Sequence, residues 1–156
     1  MPDLKKKNTE DLCKYHIILL ERLDELPERA SEIKERLQEI YTEVERRANN
    51  EEFVRPNQGL LSFYGYHVGS TDGKREGFRR KILKKIFKEK KLPLVGSIEY
   101  IDEWGEPESI KRLNKINNSL LGFLNSTYPA YMNMTRPFKE WHADLKWIKS
   151  SLIPKK

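Results

Sequence analysis

Thr71–Pro93 reads TDGKREGFRRKILKKIFKEKKLP, and this stretch decides the fold class. Between Lys74 and Lys91 it carries ten Lys/Arg against two acids, Glu76 and Glu89, a local net of +8 where the whole chain has +6. At about 100° per residue, Phe78, Ile82, Leu83, Ile86 and Phe87 fall on one half of a helical wheel. Arg80, Lys81, Lys84, Lys85 and Lys88 fall on the other. That is the pattern of a helix docked on a core with a cationic outer face. It is expected to occupy about residues 74–90 and to end at Leu92-Pro93, because the residue before proline avoids the helical region. Arg79 is the exception. It lies inside the apolar arc, where a charge must be paired or must snorkel outwards. We expect it to be structural, bonded to a carboxylate or a helix-end carbonyl, with Glu106 or Glu108 as the partner.

Towards the N-terminus the period changes to a heptad. Leu12, His16, Leu19, Leu23, Leu26, Ala30, Ile33, Leu37, Ile40 and Val44 follow one another at alternating four- and three-residue steps, which is a coiled-coil seam. Thr9 is the expected N-cap, followed by Glu10 and Asp11, where the helix dipole favours acids. Pro27 interrupts the series. A mid-helix proline costs about 3 kcal/mol, so the chain either turns there into a helical hairpin or continues as one long kinked helix. Pro27 followed by Glu28 is good first-turn chemistry and favours the hairpin, with a second helix over about 28–49.

Between these two stretches the periodicity lapses. Residues 51–59, with Pro56, Asn57 and Gly59, read as a linker. Leu60–Tyr64 reads as a short helix running into a loop, with Thr71 or Asp72 capping the basic helix. Beyond Pro93, residues 94–105 suggest a loop with an extended or one-turn element. A helix over about 107–126 starts at Pro107, and a last helix opens at Pro137 with Phe138, Trp141, Leu145, Ile148 and Leu152 on one stripe. The predicted fold class is all-α: an N-terminal helical hairpin or coiled coil (1–50), a linker (51–59), then a compact basic bundle of about three main helices (60–156).

Composition bounds the function. The 156 residues are 37% hydrophobic and 35% charged, enough for one ordinary domain with a modest core. No apolar run approaches the roughly 18–20 residues of a membrane span, the first residues lack a secretory pattern, and the lone Cys13 excludes an internal disulfide framework. A cytoplasmic protein is expected. The basic balance is local: residues 1–56 hold 11 Lys/Arg against 14 Asp/Glu, and residues 57–156 hold 19 against 10. An acidic partner therefore belongs to the second part.

Catalytic and metal chemistry find little purchase. His16, His67 and His142 are far apart in sequence and no Cys–His cluster exists, so neither a metal site nor a cofactor is expected. Cys13 lies early in an amphipathic helix with nothing to activate it. Gly69–Lys74 lacks the GxxxxGK[ST] spacing of a phosphate loop. Asp102, Glu103 and Glu106 around Trp104 read as helix-end or ion-pair acids. An enzyme built on His67 and those acids has no motif behind it. His67 does sit in a glycine-flanked loop, where functional residues concentrate.

Several strings carry a resemblance: Gly65-Tyr66-His67-Val68-Gly69, Arg79-Arg80-Lys81-Ile82-Leu83, Leu92-Pro93, Trp104-Gly105-Glu106-Pro107-Glu108-Ser109 with Arg112-Leu113, and Trp141 to Trp147. In this order, over about residues 61–150, the chain resembles a small helical module of uncharacterised bacterial proteins, some linked to phage defence or mobile elements. No established activity goes with that module, so it supplies no catalytic or binding residue. The resemblance implies a bacterial or phage setting and an accessory role.

The sequence therefore favours a non-enzymatic accessory protein. Lys74, Arg75, Arg80, Lys81, Lys84, Lys85, Lys88, Lys90 and Lys91 would contact nucleic-acid phosphates. A protein partner or a second copy would bind through the heptads, with Leu12, Leu19, Leu23, Leu26, Ile33, Leu37, Ile40 and Val44 as contacts. The alternative is a pure protein–protein interaction module in which that seam, Tyr66, His67 and Trp104 make the contacts and the basic face meets an acidic protein. No membrane role is expected.

Overall fold

Leucines and isoleucines at heptad spacing produce the first two main elements, helix α1 (Thr9–Glu25) and helix α2 (Ala30–Asn49). The structure is a computed structural model and describes residues 3–50, 59–69, 73–127 and 135–155. Among these residues the chain is helical without a strand. Beyond α1 and α2 come α3 (Gly59–Phe63), α4 (Glu76–Lys88), α5 (Ile98–Asp102), α6 (Ile110–Thr127) and α7 (Thr135–Ser151). The chain divides into two compact units: Met1–Tyr64 with Pro93–Ile101, and Gly65–Leu92 with Asp102–Lys156. Leu60–Tyr64 and the segment around α5 thus group with the N-terminal helices rather than with the later ones.

In the first unit, α1 is capped by Asn8, not Thr9. The Asn8 Oδ1 accepts from the Asp11 amide at 2.8 Å, so the cap stands one residue earlier than the sequence suggests. The helix stops at Glu25, and Leu26 leaves the helical region (φ −126°, ψ 70°), as a residue before proline does. Pro27–Arg29 then form a 3-10 turn that leads into α2. Tyr15 accepts from Arg36 at 3.1 Å, while Thr9, at the start of α1, meets Arg47, near the end of α2, at 3.3 Å. Leu12, Leu19, Ile33, Leu37, Ile40 and Val44 are buried.

His16 belongs to the same core and is fully buried, deeper than its seam position alone suggests. Its ring stacks on Phe63 at 4.1 Å. The Phe63 carbonyl, 2.9 Å from Nδ1, can only accept, so Nδ1 donates, and Nε2 forms a second hydrogen bond with the Tyr41 hydroxyl at 2.9 Å. The short α3 buries Leu60, Leu61 and Phe63, and the Leu60 amide donates to the Tyr100 hydroxyl of α5 at 2.8 Å. Arg47 ties down the N-terminal 3-10 turn (Leu4–Lys6), donating to the carbonyls of Leu4 (2.9 Å) and Lys7 (2.6 Å).

In the second unit, α4 buries Ile82, Leu83, Ile86 and Phe87, and Phe78 is half-buried. Helix α6 begins at Ile110, three residues later than the sequence suggests. Glu108 takes the left-handed region (φ 57°) and gives its amide to the Phe87 carbonyl at 2.8 Å. Ser109 then caps α6 by accepting from the Arg112 amide at 3.0 Å. Helix α7 begins at Thr135, so Pro137 lies in its first turn rather than opening it. Trp141, Leu145, Ile148 and Leu152 are buried along its inner stripe. The linker residues Pro56 and Asn57 and the expected caps Thr71 and Asp72 lie outside the described residues, and Arg75 holds the N-cap position of α4 without a side-chain bond.

Candidate nucleic-acid interface

Helix α4 sorts its cations by position. Arg75, Lys81, Lys84 and Lys88 are exposed on or beside it, and Lys90 and Lys91 are exposed just past its end. Lys74 and Lys85 are half-buried. The two acids of the stretch both engage cations four residues away: Glu76 pairs with Arg80, and Glu89 lies 3.7 Å from Lys85. Such surface pairs contribute only tenths of a kcal/mol each, and they occupy both carboxylates of the stretch.

Arg79 is the structural ion that its place on the wheel requires, with partners other than those expected. Its side chain is 4% exposed. Nε donates to Asp144 Oδ2 at 2.8 Å and Nη2 to Asp144 Oδ1 at 3.2 Å, while Nη1 reaches Glu140 at 2.6 Å and the Lys74 carbonyl at 2.9 Å. Glu106 and Glu108 take no part in these bonds, and Glu108 pairs with Lys155 at 2.8 Å. Burial works most strongly against the Arg79 charge, yet the Asp144 bonds together with the charges of Asp144 and Glu140 outweigh it, and the guanidinium is held more firmly protonated than usual. Asp144 is fully buried and also accepts from the Tyr66 hydroxyl at 2.6 Å. Burial first, then the Asp144 charge, raises the Tyr66 pKa far above its ordinary value, so Tyr66 stays a donor. Glu140 adds bonds from the Gly69 amide (3.2 Å) and from Arg136 (3.0 Å). The result is a buried ion network that ties Tyr66, Gly69 and Lys74 to α4 and α7.

Arg80 departs from the role the charge run gave it. Its Nη1 pairs with Glu76 and its Nε donates to Asp144 Oδ1 at 3.3 Å, so two of its three nitrogens face carboxylates. Its guanidinium carbon lies 5.7 Å from the centroid of the Trp147 ring. It is a fixed, flat group rather than a loose surface cation.

Burial sets how far each expected partner contact reaches the surface. Tyr66 and Trp104 are at most 1% exposed, Tyr66 spent on Asp144 and Trp104 packed inside its unit, so neither offers a surface. Leu12, Leu19, Ile33, Leu37, Ile40 and Val44 are covered by the chain itself, while Leu23 and Leu26 are half-buried. A long amphipathic seam needs a cover, and here its own unit provides one. His67 is half-buried, and its carbonyl accepts from the Lys74 amide at 2.9 Å. His142 is exposed, and burial pushes the Cys13 thiol up to about 11, with Arg47 opposing only in part. Among the described residues no group of His, Cys, Asp and Glu side chains could hold a metal ion, and no helix is long and apolar enough to cross a membrane.

Sequence reasoning missed Asp144 and Arg112. Asp144 lies on the Trp141–Ile148 stripe, three residues after one member and four before the other, and an acid inside an apolar stripe is the mirror of Arg79. Arg112 is 2% exposed and donates to four carbonyls, those of Ile86, Glu89, Trp104 and Gly105, at 2.5 to 3.3 Å. No known protein family, curated protein or solved structure matches the chain.

Proposed function

We propose that the chain is a non-enzymatic accessory protein that holds nucleic-acid phosphates against the outer face of α4 and the turn after it. In this reading an N-terminal helical hairpin accompanies a compact basic bundle, and the contacts are Arg75, Lys81, Lys84, Lys88, Lys90 and Lys91. One observation carries the proposal. The apolar half of α4 is buried and both its acids engage cations of the same stretch, so its outer side is left cationic. A solvated lysine face that served only solubility would interleave acids with the cations. Burial of the apolar half also removes the surface with which an amphipathic helix inserts into a membrane. A cytoplasmic location and a bacterial or phage defence setting belong to the same proposal, the latter resting on the GYHVG, RRKIL and WGEPES strings.

Binding to phosphates releases counterions and weakens steeply with salt. The test is a titration of labelled single- and double-stranded DNA and RNA at about 50 and about 200 mM salt. Wild type is compared with Lys84→Glu/Lys88→Glu, whose side chains are exposed, so that the fold is left intact. Binding at low salt that falls at high salt and is abolished by the double reversal is the expected result. No binding at low salt, or binding indifferent to the reversal, removes the proposal.

A further inference from the structure

Arg80 and Trp147 form a feature that phosphate binding does not need. The Arg80 side chain is 24% exposed, and Trp147 beneath it is half-buried. The edge of the guanidinium is largely committed, Nη1 to Glu76 and Nε to Asp144. Those two carboxylates also offset its charge. What Arg80 still offers a ligand is therefore mainly its flat face rather than its donors or its net charge. Guanidinium planes and indole rings are the surfaces on which unpaired bases stack. One turn earlier on α4 stands Gly77, exposed and helical, where an added Cβ would meet nothing within 4 Å. Glycine in a helix costs about 1 kcal/mol against alanine, so packing does not call for it here. Its absent side chain leaves the backbone beside Arg80 open to close approach. Lys84, one turn later on the same face, is exposed and supplies a phosphate contact next to the flat pair.

Resting on the reading that α4 faces nucleic acid, we infer that the ligand is single-stranded, with one unpaired base stacked at the Arg80–Trp147 pair and its flanking phosphates on Lys81, Lys84 and Lys88. In a duplex the bases are stacked on one another and offer no face to such a platform, so a duplex would engage the lysines alone. DNA and RNA share the π-face, and the sugar is left to the experiment.

The full chain is titrated with four ligands of equal length, about 15 nucleotides. They are oligothymidylate, oligouridylate, a mixed-sequence duplex and an abasic DNA strand that keeps the phosphates and lacks the bases. Wild type should bind the base-bearing strands about tenfold more tightly than the abasic strand, the scale of one stacked base. Trp147→Leu and Arg80→Lys should reduce that ratio to near one, while Lys84→Gln weakens all four ligands alike. Wild-type protein binding abasic and base-bearing strands equally overturns the stacking inference and leaves phosphate binding standing. The same holds if the two flat-pair variants fold and keep the full preference. If no polyanion binds at low salt, the phosphate reading falls and this inference falls with it. The abasic comparison uses wild type alone, so poor folding of a Trp147 variant does not blunt it.

Discussion

Asp144 receives Arg79, Arg80 and Tyr66 on two oxygens while fully buried. Removing one member of a buried ion network leaves the other charge uncompensated, at about 3–5 kcal/mol. Asp144→Asn keeps the shape and should lower unfolding stability by about that much, measured by urea denaturation. Arg79→Met/Asp144→Leu should lose less than the sum of the single variants, since it removes both charges together. Glu43 is a second case. Bonds from Arg46, opposed by burial and reinforced by Arg47, hold its carboxyl down from 4.5 to about 2. A depressed folded-state pKa adds stability above the unfolded value and loses it as pH falls through the folded one. The wild-type melting temperature should therefore drop between about pH 4.5 and about pH 2 more steeply than that of Glu43→Gln. At this scale the sequence reveals roles better than partners. Arg79 shows itself by sitting among Phe78, Ile82 and Ile86, but Asp144 stands 65 residues away and nothing local points to it. His16 shows its seam position, whereas its depth depends on Phe63 and Tyr41, which no periodicity of α1 can reveal.

Elements are legible where apolar periodicity is strong, as in α1, α2, α4 and α7, and less so at their ends. The start of α6 moved from Pro107 to Ile110 because Glu108 adopts a positive φ and Ser109 does the capping. Ser109 directly before the apolar pattern of α6 is the local signal for that cap, and Pro107 is a competing one. Arg112 closes the other end of the same junction, binding the Ile86 and Glu89 carbonyls at the end of α4 and those of Trp104 and Gly105. Lysine there carries the charge but lacks the fork, so Arg112→Lys should destabilise by about 2 kcal/mol by leaving buried carbonyls unmatched. Thermal unfolding checks this, and Lys111→Gln, exposed next door, should change little. The start of α3 gives a steric counterpart. Gly59 has φ +68°, and a Cβ there would sit 2.2 Å from the Tyr100 hydroxyl that caps Leu60. Gly59→Ala should lose about 2 kcal/mol, from left-handed strain plus displacement of the tyrosine. Combined with Tyr100→Phe it should lose less than the sum, because the cap is then already gone.

Across the whole molecule the charges segregate by sequence, −3 over residues 1–56 and +9 over residues 57–156, and that much is readable without coordinates. The membership of the units is not. Residues 93–101 join the N-terminal helices through long-range contacts such as Tyr100 with Leu60, which leave no periodic trace. Segregation matters because a polyanion could be drawn either by the summed charge or by one patch, and salt separates the two. For single strands the slope of log K against log salt is about −0.7 per neutralised phosphate. Four to six contacts among Arg75, Lys81, Lys84, Lys88, Lys90 and Lys91 then give a slope of about −3 to −4. Lys84→Gln should flatten that slope by about 0.7, the loss of a single contact. Lys34→Gln, exposed on α2, changes the net charge equally and should leave the slope unchanged. Equal shifts from both variants would mean that the chain binds by overall charge, and the outer face of α4 would lose its claim to be a site.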